Sequence, residues 1–105
     1  MILALDVGNS QIYCGVFADA ARSRQKGQFR YSSVSRSSSD EMGVFLRSAL
    51  RENGIAPESI KVIGISSVVP EHNYSLRACC QKYFGIEPML MRPGIKTGLQ
   101  IAYKD

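Results

Sequence analysis

The sequence contains no apolar run long enough to cross a bilayer, which takes roughly 18 to 20 residues. Its apolar amino terminus is not preceded by basic residues and is interrupted by Asp6, so it does not have the pattern of a secretory signal. We therefore expect a cytoplasmic protein that does not associate with a membrane.

The sequence also lacks a recognisable zinc-binding pattern. Its three cysteines, Cys14, Cys79 and Cys80, include no pair spaced as CxxC, and the single histidine, His72, has no cysteine or carboxylate at ligand spacing. We predict that the three cysteines are reduced thiols packed in the core.

Positive charge is not concentrated in any block. The net charge is +4, but arginine and lysine are spread from Arg22 to Lys104. No basic stretch interleaved with aromatic residues and no helix-turn-helix pattern occurs, so nucleic acid is not an expected partner. The dispersed charge is typical of a solvated surface, and it would also favour anionic ligands such as nucleotides.

What the sequence does contain is the composition of one ordinary domain, with 45% hydrophobic and 21% charged residues. Five short segments predict β-strands, at residues 2–5, 12–17, 29–34, 60–66 and 87–91. A helix is predicted before and after the fourth strand. The order β-β-β-α-β-α-β implies a meander followed by a parallel crossover, and therefore a mixed five-stranded α/β sheet.

Both predicted helices have start or stop signals in the sequence. Ser38 and Glu41 have the spacing of a capping box, and Gly54 and Gly85 are suited to end the two helices. Each helix has one apolar stripe at helical spacing. The stripes consist of Met42, Phe45, Leu46, Ala49 and Leu50 in the first helix, and of Leu76, Cys79, Cys80, Tyr83 and Phe84 in the second.

A carboxylate, Asp6, follows directly on the buried first strand, where it needs a charged or hydrogen-bonding partner. The next residues, Gly8, Asn9 and Ser10, offer backbone N–H groups, an amide and a hydroxyl, which are suited to hold phosphate oxygens. Asp6 would then hold a hydrated Mg²⁺. A second interpretation remains open, in which Asp6 and Asn9 only close a hairpin through side-chain hydrogen bonds.

Two other segments are candidates for the border of a ligand cleft. Ser66 and Ser67 lie at the exit of the fourth strand, where open α/β sheets bind ligands, although Val68 and Val69 beside them are also suited to the core. Lys96 lies in a loop rich in glycine and proline, where it would either approach an anion or form part of a surface turn.

Residues 6–10, 66–70 and 93–101, together with Tyr103, resemble in order and spacing the amino-terminal half of the type III pantothenate kinases. The resemblance extends over essentially the whole chain. It implies a ribonuclease-H-like lobe of the acetate and sugar kinase/Hsp70/actin superfamily, with residues 1–105 forming the first of two lobes around an ATP cleft and the second lobe not included.

The resemblance also implies a reaction, in which ATP phosphorylates pantothenate to 4′-phosphopantothenate at the start of coenzyme A synthesis. Tyr103 is expected to line the pantothenate pocket. The implied cofactors are Mg²⁺, held by Asp6, and a monovalent cation, K⁺ or NH₄⁺, and the implied assembly is a homodimer. The expected ATP phosphate loop consists of Asp6, Val7, Gly8, Asn9, Ser10, Gln11, Ile12 and Tyr13.

The same resemblance places the catalytic base in a Gly-x-Asp-Arg motif beyond the position of Asp105. Asp105 itself is therefore not expected to be the base, and none of the 105 residues is. We expect these residues to be inactive as a kinase when they are alone.

Two alternatives remain open. A ribonuclease-H-like nuclease would pair Asp6 with Glu41, although two-metal chemistry needs further converging carboxylates. A nucleotide-binding protein without catalytic activity, such as an accessory factor for transcription, is the second alternative.

Overall fold

A mixed five-stranded sheet with two helices forms the computed structural model, which describes residues 1–18, 25–32 and 38–91. The strands are β1 (Ile2–Val7), β2 (Gln11–Phe17), β3 (Gln25–Ser32), β4 (Val62–Ser67) and β5 (Met89–Met91). The helices are α1 (Ser39–Glu52) and α2 (Asn73–Phe84). A short 3₁₀ turn, Pro57–Ser59, follows α1, and another, Pro70–His72, directly precedes α2. This is the predicted order of elements.

The strands are arranged in the order β3-β2-β1-β4-β5. The first three strands form an antiparallel meander, whereas β4 is parallel to β1 and β5 is parallel to β4. The predicted mixed sheet with a parallel crossover is therefore confirmed. Strand β1 lies at the centre of the sheet, with an antiparallel neighbour on one side and a parallel neighbour on the other.

The two faces of the sheet differ because successive side chains of a strand point to opposite sides. The face that packs against the helices, called the helix face below, carries Leu3, Leu5 and Val7 of β1. The core on that face also contains Ile12, Cys14 and Val16 of β2, Ile63 and Ile65 of β4, and residues of both helices, Met42, Leu46, Leu50, Leu76, Cys79 and Cys80. The opposite face, called the far face, carries Ile2, Ala4 and Asp6 of β1.

Helix α1 begins at the predicted capping box. The Glu41 backbone N–H donates to the Ser38 hydroxyl over 3.1 Å, and the Ser38 backbone N–H donates to the Glu41 carboxylate over 2.9 Å. Beyond the ends of α1 and α2, Gly54 and Gly85 have φ values of 75° and 66°, a left-handed conformation that disfavours residues with a Cβ. Both predicted helix ends are confirmed.

The two helices approach each other closely at Gly43 of α1. A Cβ at that position would overlap the ring of Tyr83 on α2, so the glycine allows the aromatic ring to pack directly on the helix backbone. Arg47 of α1 donates to the Tyr83 carbonyl over 2.8 Å and to the Glu58 carboxylate over 2.9 Å. These contacts fix the position of α2 relative to α1.

Some predicted strand boundaries were wrong. Strand β3 begins at Gln25 rather than at Phe29, because its polar first half pairs with the end of β2. Strand β4 begins at Val62, since the preceding 3₁₀ turn extends to Ser59, and β5 contains only three residues. The predicted end of the third strand, Val34, lies outside the described residues.

The three cysteines are free thiols buried in the core, as predicted. Burial raises the pKa of Cys79 and of Cys80 to about 12, and burial raises the pKa of Cys14 further above the ordinary thiol value. These thiols are therefore protonated and unreactive at neutral pH. In the described part of the chain, no helix is both long and apolar enough to span a bilayer.

Candidate functional site

The candidate site lies at the end of the sheet where the parallel strands β1 and β4 finish, called the carboxyl end below. Val7 and Ser67 are paired there, and the Val68 backbone N–H donates to the Val7 carbonyl over 3.1 Å. The hairpin between β1 and β2 projects from the same end. Open α/β sheets bind ligands at this end of their parallel strands.

The hairpin turn is built from two residues, Asn9 and Ser10, and both are exposed. The Gly8 N–H donates to the Gln11 carbonyl over 2.8 Å. The Gly8 N–H therefore closes the turn and is not one of the donors left for a phosphate, in contrast to the expectation from sequence.

Gly8 has no structural requirement for glycine among the described residues. Its φ is not positive, since Gly54 and Gly85 are the only described glycines with that property. A Cβ at Gly8 would meet only the Gln11 carbonyl oxygen, at an ordinary contact distance of 3.5 Å. Neither the backbone conformation nor the packing therefore requires a glycine at this position. A glycine is also used where a ligand approaches the backbone closely, and this use is consistent with Gly8.

The predicted phosphate loop is divided by the alternation of its side chains. Val7 and Ile12 are 1% and 2% exposed, so their side chains belong to the core and only their backbones face the carboxyl end. Asp6 is half-buried on the far face, and Tyr13, opposite it on β2, is 40% exposed on the same face.

Asp6 belongs to a row of cross-strand neighbours on the far face. The strand registers pair Ser66 with Asp6, Asp6 with Tyr13, and Tyr13 with Arg30, so the row crosses β4, β1, β2 and β3. Ser66 is buried at 4% exposure, whereas Arg30 is exposed and its guanidinium carbon lies 5.9 Å from the centroid of the Tyr13 ring. Arg30 was not predicted from the sequence. The alternating pattern of β3 was its only signal, and that pattern was weak.

The exit of β4 forms the other side of the site. The Ser67 hydroxyl accepts from the Val69 N–H over 3.0 Å and donates to the Val69 carbonyl over 3.1 Å, which fixes the turn into α2. Val68 is 55% exposed at this turn and therefore borders the carboxyl end rather than the core.

Among the residues that the structure describes, Asp6 is the carboxylate on the far face at the carboxyl end. No group of three or more His, Cys, Asp or Glu residues in the described part of the chain could hold a metal ion. This donor set does not fit a cage built from protein ligands alone. It fits Mg²⁺, which commonly takes one or two carboxylates and keeps several waters and substrate phosphates.

The structure does not bring together the pair that a nuclease would need. The Glu41 carboxylate is engaged in the capping box of α1. That helix covers the helix face, whereas Asp6 points to the far face. The two carboxylates are therefore separated by the sheet.

The remaining predicted site residues lie outside the described residues. These are the segment 93–101 with Lys96 and the expected pantothenate residue Tyr103. Asp105, which is not expected to be the base, also lies outside them.

Comparisons with known proteins converge on one family. A sequence profile described as type III pantothenate kinase matches residues 2–105. Type III pantothenate kinases from Legionella pneumophila (strain Corby) and Elusimicrobium minutum are 54% and 50% identical to the chain, and each match covers all of this chain and 40% of the relative. A type III pantothenate kinase 2 from Francisella tularensis is 40% identical, and the match again covers all of this chain and 40% of the relative. The chain thus spans about 40% of the length of these curated relatives.

A solved structure supports the fold. The crystal structure of a ROK hexokinase from Thermus thermophilus superposes with a TM-score of 0.62, covering 87% of this chain and 34% of that one. The sequence identity is 18%, so this likeness shows the fold alone. It confirms the expected ribonuclease-H-like half-domain of the actin-like ATPase type.

Proposed function

The chain belongs to the type III pantothenate kinase family, and we propose that it supplies the ATP-phosphate side of an enzyme that phosphorylates pantothenate to 4′-phosphopantothenate. This reaction is the first step of coenzyme A synthesis. The observation that carries the proposal is the position of Asp6, half-buried at the carboxyl end of the central strand and directly before an exposed two-residue turn.

The hairpin has the groups that phosphate binding needs. The backbone at Asn9 and Ser10 lies in an exposed turn, next to their own amide and hydroxyl, and Gly8 leaves room for close approach. Ser10 adds a hydroxyl that can donate to a phosphate oxygen. Donors fixed on a rigid hairpin hold the phosphate chain in one orientation, which in-line phosphoryl transfer requires.

Asp6 is the residue that would hold Mg²⁺ through its water ligands. When bound, Mg²⁺ supplies positive charge that neutralises the phosphate oxygens. The carboxylate of Asp6 is presented on the far face by a strand that is hydrogen-bonded on both sides, so its position is set by the rigid centre of the sheet.

Further parts of the proposal rest on family membership. Residues 1–105 form the first lobe, and the catalytic base and the opposing phosphate loop come from the remaining length of the family proteins. Tyr103 lines the pantothenate pocket. A monovalent cation, K⁺ or NH₄⁺, supports activity, and the complete enzyme is a homodimer in the cytoplasm.

A chimera tests the proposed reaction. It joins residues 1–105 of this chain to the remaining length of the L. pneumophila relative, which is 54% identical over the replaced part. We expect ATP-dependent formation of 4′-phosphopantothenate, with no phosphorylation of glucose. ATP binding without transfer to pantothenate would contradict the proposed function and favour a nucleotide-binding role.

Two variants of the chimera locate the activity. We expect Asp6→Asn to lower kcat/KM by about 100-fold, the size of effect seen when a group that stabilises transition-state charge is removed. Glu52→Gln removes the same charge from an exposed position at the end of α1 and should leave kcat/KM unchanged. Equal activities of the two variants would show that Asp6 does not serve the reaction.

A further inference from the structure

Arg30 is an exposed cation on the far face of the sheet. It lies on β3, the outermost strand of the meander, and is paired in register with Tyr13 of β2. Within the described residues its guanidinium contacts the Tyr13 ring but forms no ion pair and no hydrogen bond with a side chain. No carboxylate of the described residues therefore neutralises its charge.

The register places this cation in the same row as Asp6. Neighbouring strands lie about 4.8 Å apart, so the backbones of β1 and β3 are roughly 10 Å apart at the row, with Tyr13 between them. A negative group on the far face near Asp6 would thus have Arg30 as a cation in the same row of cross-strand neighbours. The Asp6 carboxylate repels an anion unless the anion is accompanied by a cation. The Arg30 guanidinium attracts the anion directly.

The contact with Tyr13 limits the conformations of the arginine. A guanidinium over an aromatic ring is held by the ring quadrupole and by stacking. Fewer side-chain conformations are then lost when the group binds a ligand, which favours affinity. The planar fork of the guanidinium matches two phosphate oxygens at once, a geometry that a lysine ammonium does not reproduce.

We propose that Arg30, held over Tyr13, binds the terminal phosphate of the ATP co-substrate. This inference rests on the proposed function, because it takes the row around Asp6 as the place of the metal-bearing phosphates. Arg30 is then a phosphate-binding residue on β3, near the end of the sheet where the β1–β2 turn lies.

Equilibrium binding to the chimera tests this proposal without relying on turnover. The dissociation constants of AMP, ADP and a non-hydrolysable ATP analogue are measured by calorimetry in the presence of Mg²⁺. We expect Arg30→Ala to weaken the ATP analogue about ten-fold and AMP by much less, because one charge-assisted contact to the terminal phosphate is lost. Arg30→Lys should recover part of the loss.

Lys26→Ala is the matched control, since it removes an exposed positive charge from the same strand, four residues away. It should leave all three dissociation constants unchanged, and the urea midpoints of both variants should equal that of the parent. Unchanged affinity of Arg30→Ala for the ATP analogue would overturn the proposal. So would an equal loss for AMP, a loss equal to that of Lys26→Ala, or no binding of the analogue by the parent chimera.

The proposal and the proposed function can fail separately. If the parent chimera binds the ATP analogue and Arg30→Ala weakens it selectively, but pantothenate is not phosphorylated, the role of Arg30 stands and the proposed reaction fails. If pantothenate is phosphorylated and Arg30→Ala changes only the KM for pantothenate, the reaction stands and the assignment of Arg30 to ATP fails.

Discussion

The two faces of the sheet carry different kinds of side chain, although the same strands form both. Leu5 and Asp6 are neighbours in β1, yet Leu5 is 2% exposed in a continuous apolar core, whereas Asp6 is half-buried in a row with Ser66, Tyr13 and Arg30. Packing against α1 and α2 explains every large apolar residue on the helix face. It does not explain a row of charged and hydroxyl-bearing side chains on the far face. The helix face therefore stabilises the fold, and in the proposed function the row on the far face serves the nucleotide.

The largest expected effect separates the two neighbours in β1. We expect Leu5→Ala to lower the free energy of unfolding by roughly 2 to 5 kcal/mol, because it removes buried methyl groups and leaves a cavity in the core. Asp6→Asn should cost much less, since the amide keeps the shape of the side chain. Urea unfolding of the 105-residue chain measures both. Equal losses would mean that the far face is also built for stability.

A second prediction concerns the helix layer that covers the core. Gly43→Ala should destabilise the fold by about 1 to 3 kcal/mol through overpacking against the Tyr83 ring, although alanine is the better helix former. Ser48→Ala, at an exposed position of the same helix, has no such contact and should not destabilise.

A double variant tests the cause of that loss. In the double variant Gly43→Ala with Tyr83→Ala, the losses in the free energy of unfolding should not be additive. The alanine methyl group at position 43 overlaps the Tyr83 ring, and Tyr83→Ala removes that ring. Additive losses in urea unfolding would show that the helix contact is looser than the structure indicates.

The third expected effect is the loss of the cap of α1. Ser38→Ala removes the hydroxyl that accepts from Glu41 and should cost about 1 kcal/mol. Ser38→Thr retains an accepting hydroxyl and should cost less. Circular dichroism during urea unfolding follows both variants, and a Ser38→Ala midpoint equal to that of the parent would contradict the role of the capping box.

The smallest expected effect is an exposed contact between the helices. Hydrogen bonds from Lys82, at 2.7 Å, and from Tyr83, at 2.8 Å, lower the pKa of the Asp40 carboxyl. A carboxyl whose pKa is lower in the folded state adds stability above its unfolded pKa, and this stability is lost as the pH falls through the folded value.

Asp40→Asn should therefore shift the urea midpoint slightly downward at neutral pH. The shift should disappear in acid, well below the ordinary aspartate pKa of about 3.9. Glu52→Gln, which removes an exposed charge elsewhere on α1, is the matched control at neutral pH. A shift of Asp40→Asn that persists unchanged in acid would show that the carboxylate charge is not the cause.

Local signals predicted the helix face and the order of elements well. The caps of α1, the glycines after both helices and the apolar stripes depend on residues a few positions apart, so the sequence shows them directly. The early start of β3 at Gln25 depends on pairing with β2, which is not a local property. The exposure of Val68 likewise depends on how the turn after β4 is held by Ser67.

The candidate site was predicted only in part for the same reason. Asp6 and the turn at Asn9 and Ser10 were singled out because a carboxylate at the end of an apolar strand is unfavourable without a charged or hydrogen-bonding partner. Their role in phosphate binding is part of the proposed function. Arg30 was missed, since its place beside Tyr13 follows from the register of two strands. The use of the Gly8 N–H inside the hairpin also became visible only from its hydrogen bond to Gln11.

The most direct test of the account is the effect of Mg²⁺ on ATP binding to the chimera and to its Asp6→Asn variant, measured by calorimetry with Mg²⁺ and with a chelator. We expect Mg²⁺ to strengthen ATP binding to the parent chimera, and we expect Asp6→Asn to lose most of this increase in affinity while its urea midpoint changes little. An Asp6→Asn variant that keeps the full gain from Mg²⁺ would contradict the assignment of the carboxyl end of β1 as the metal and phosphate site.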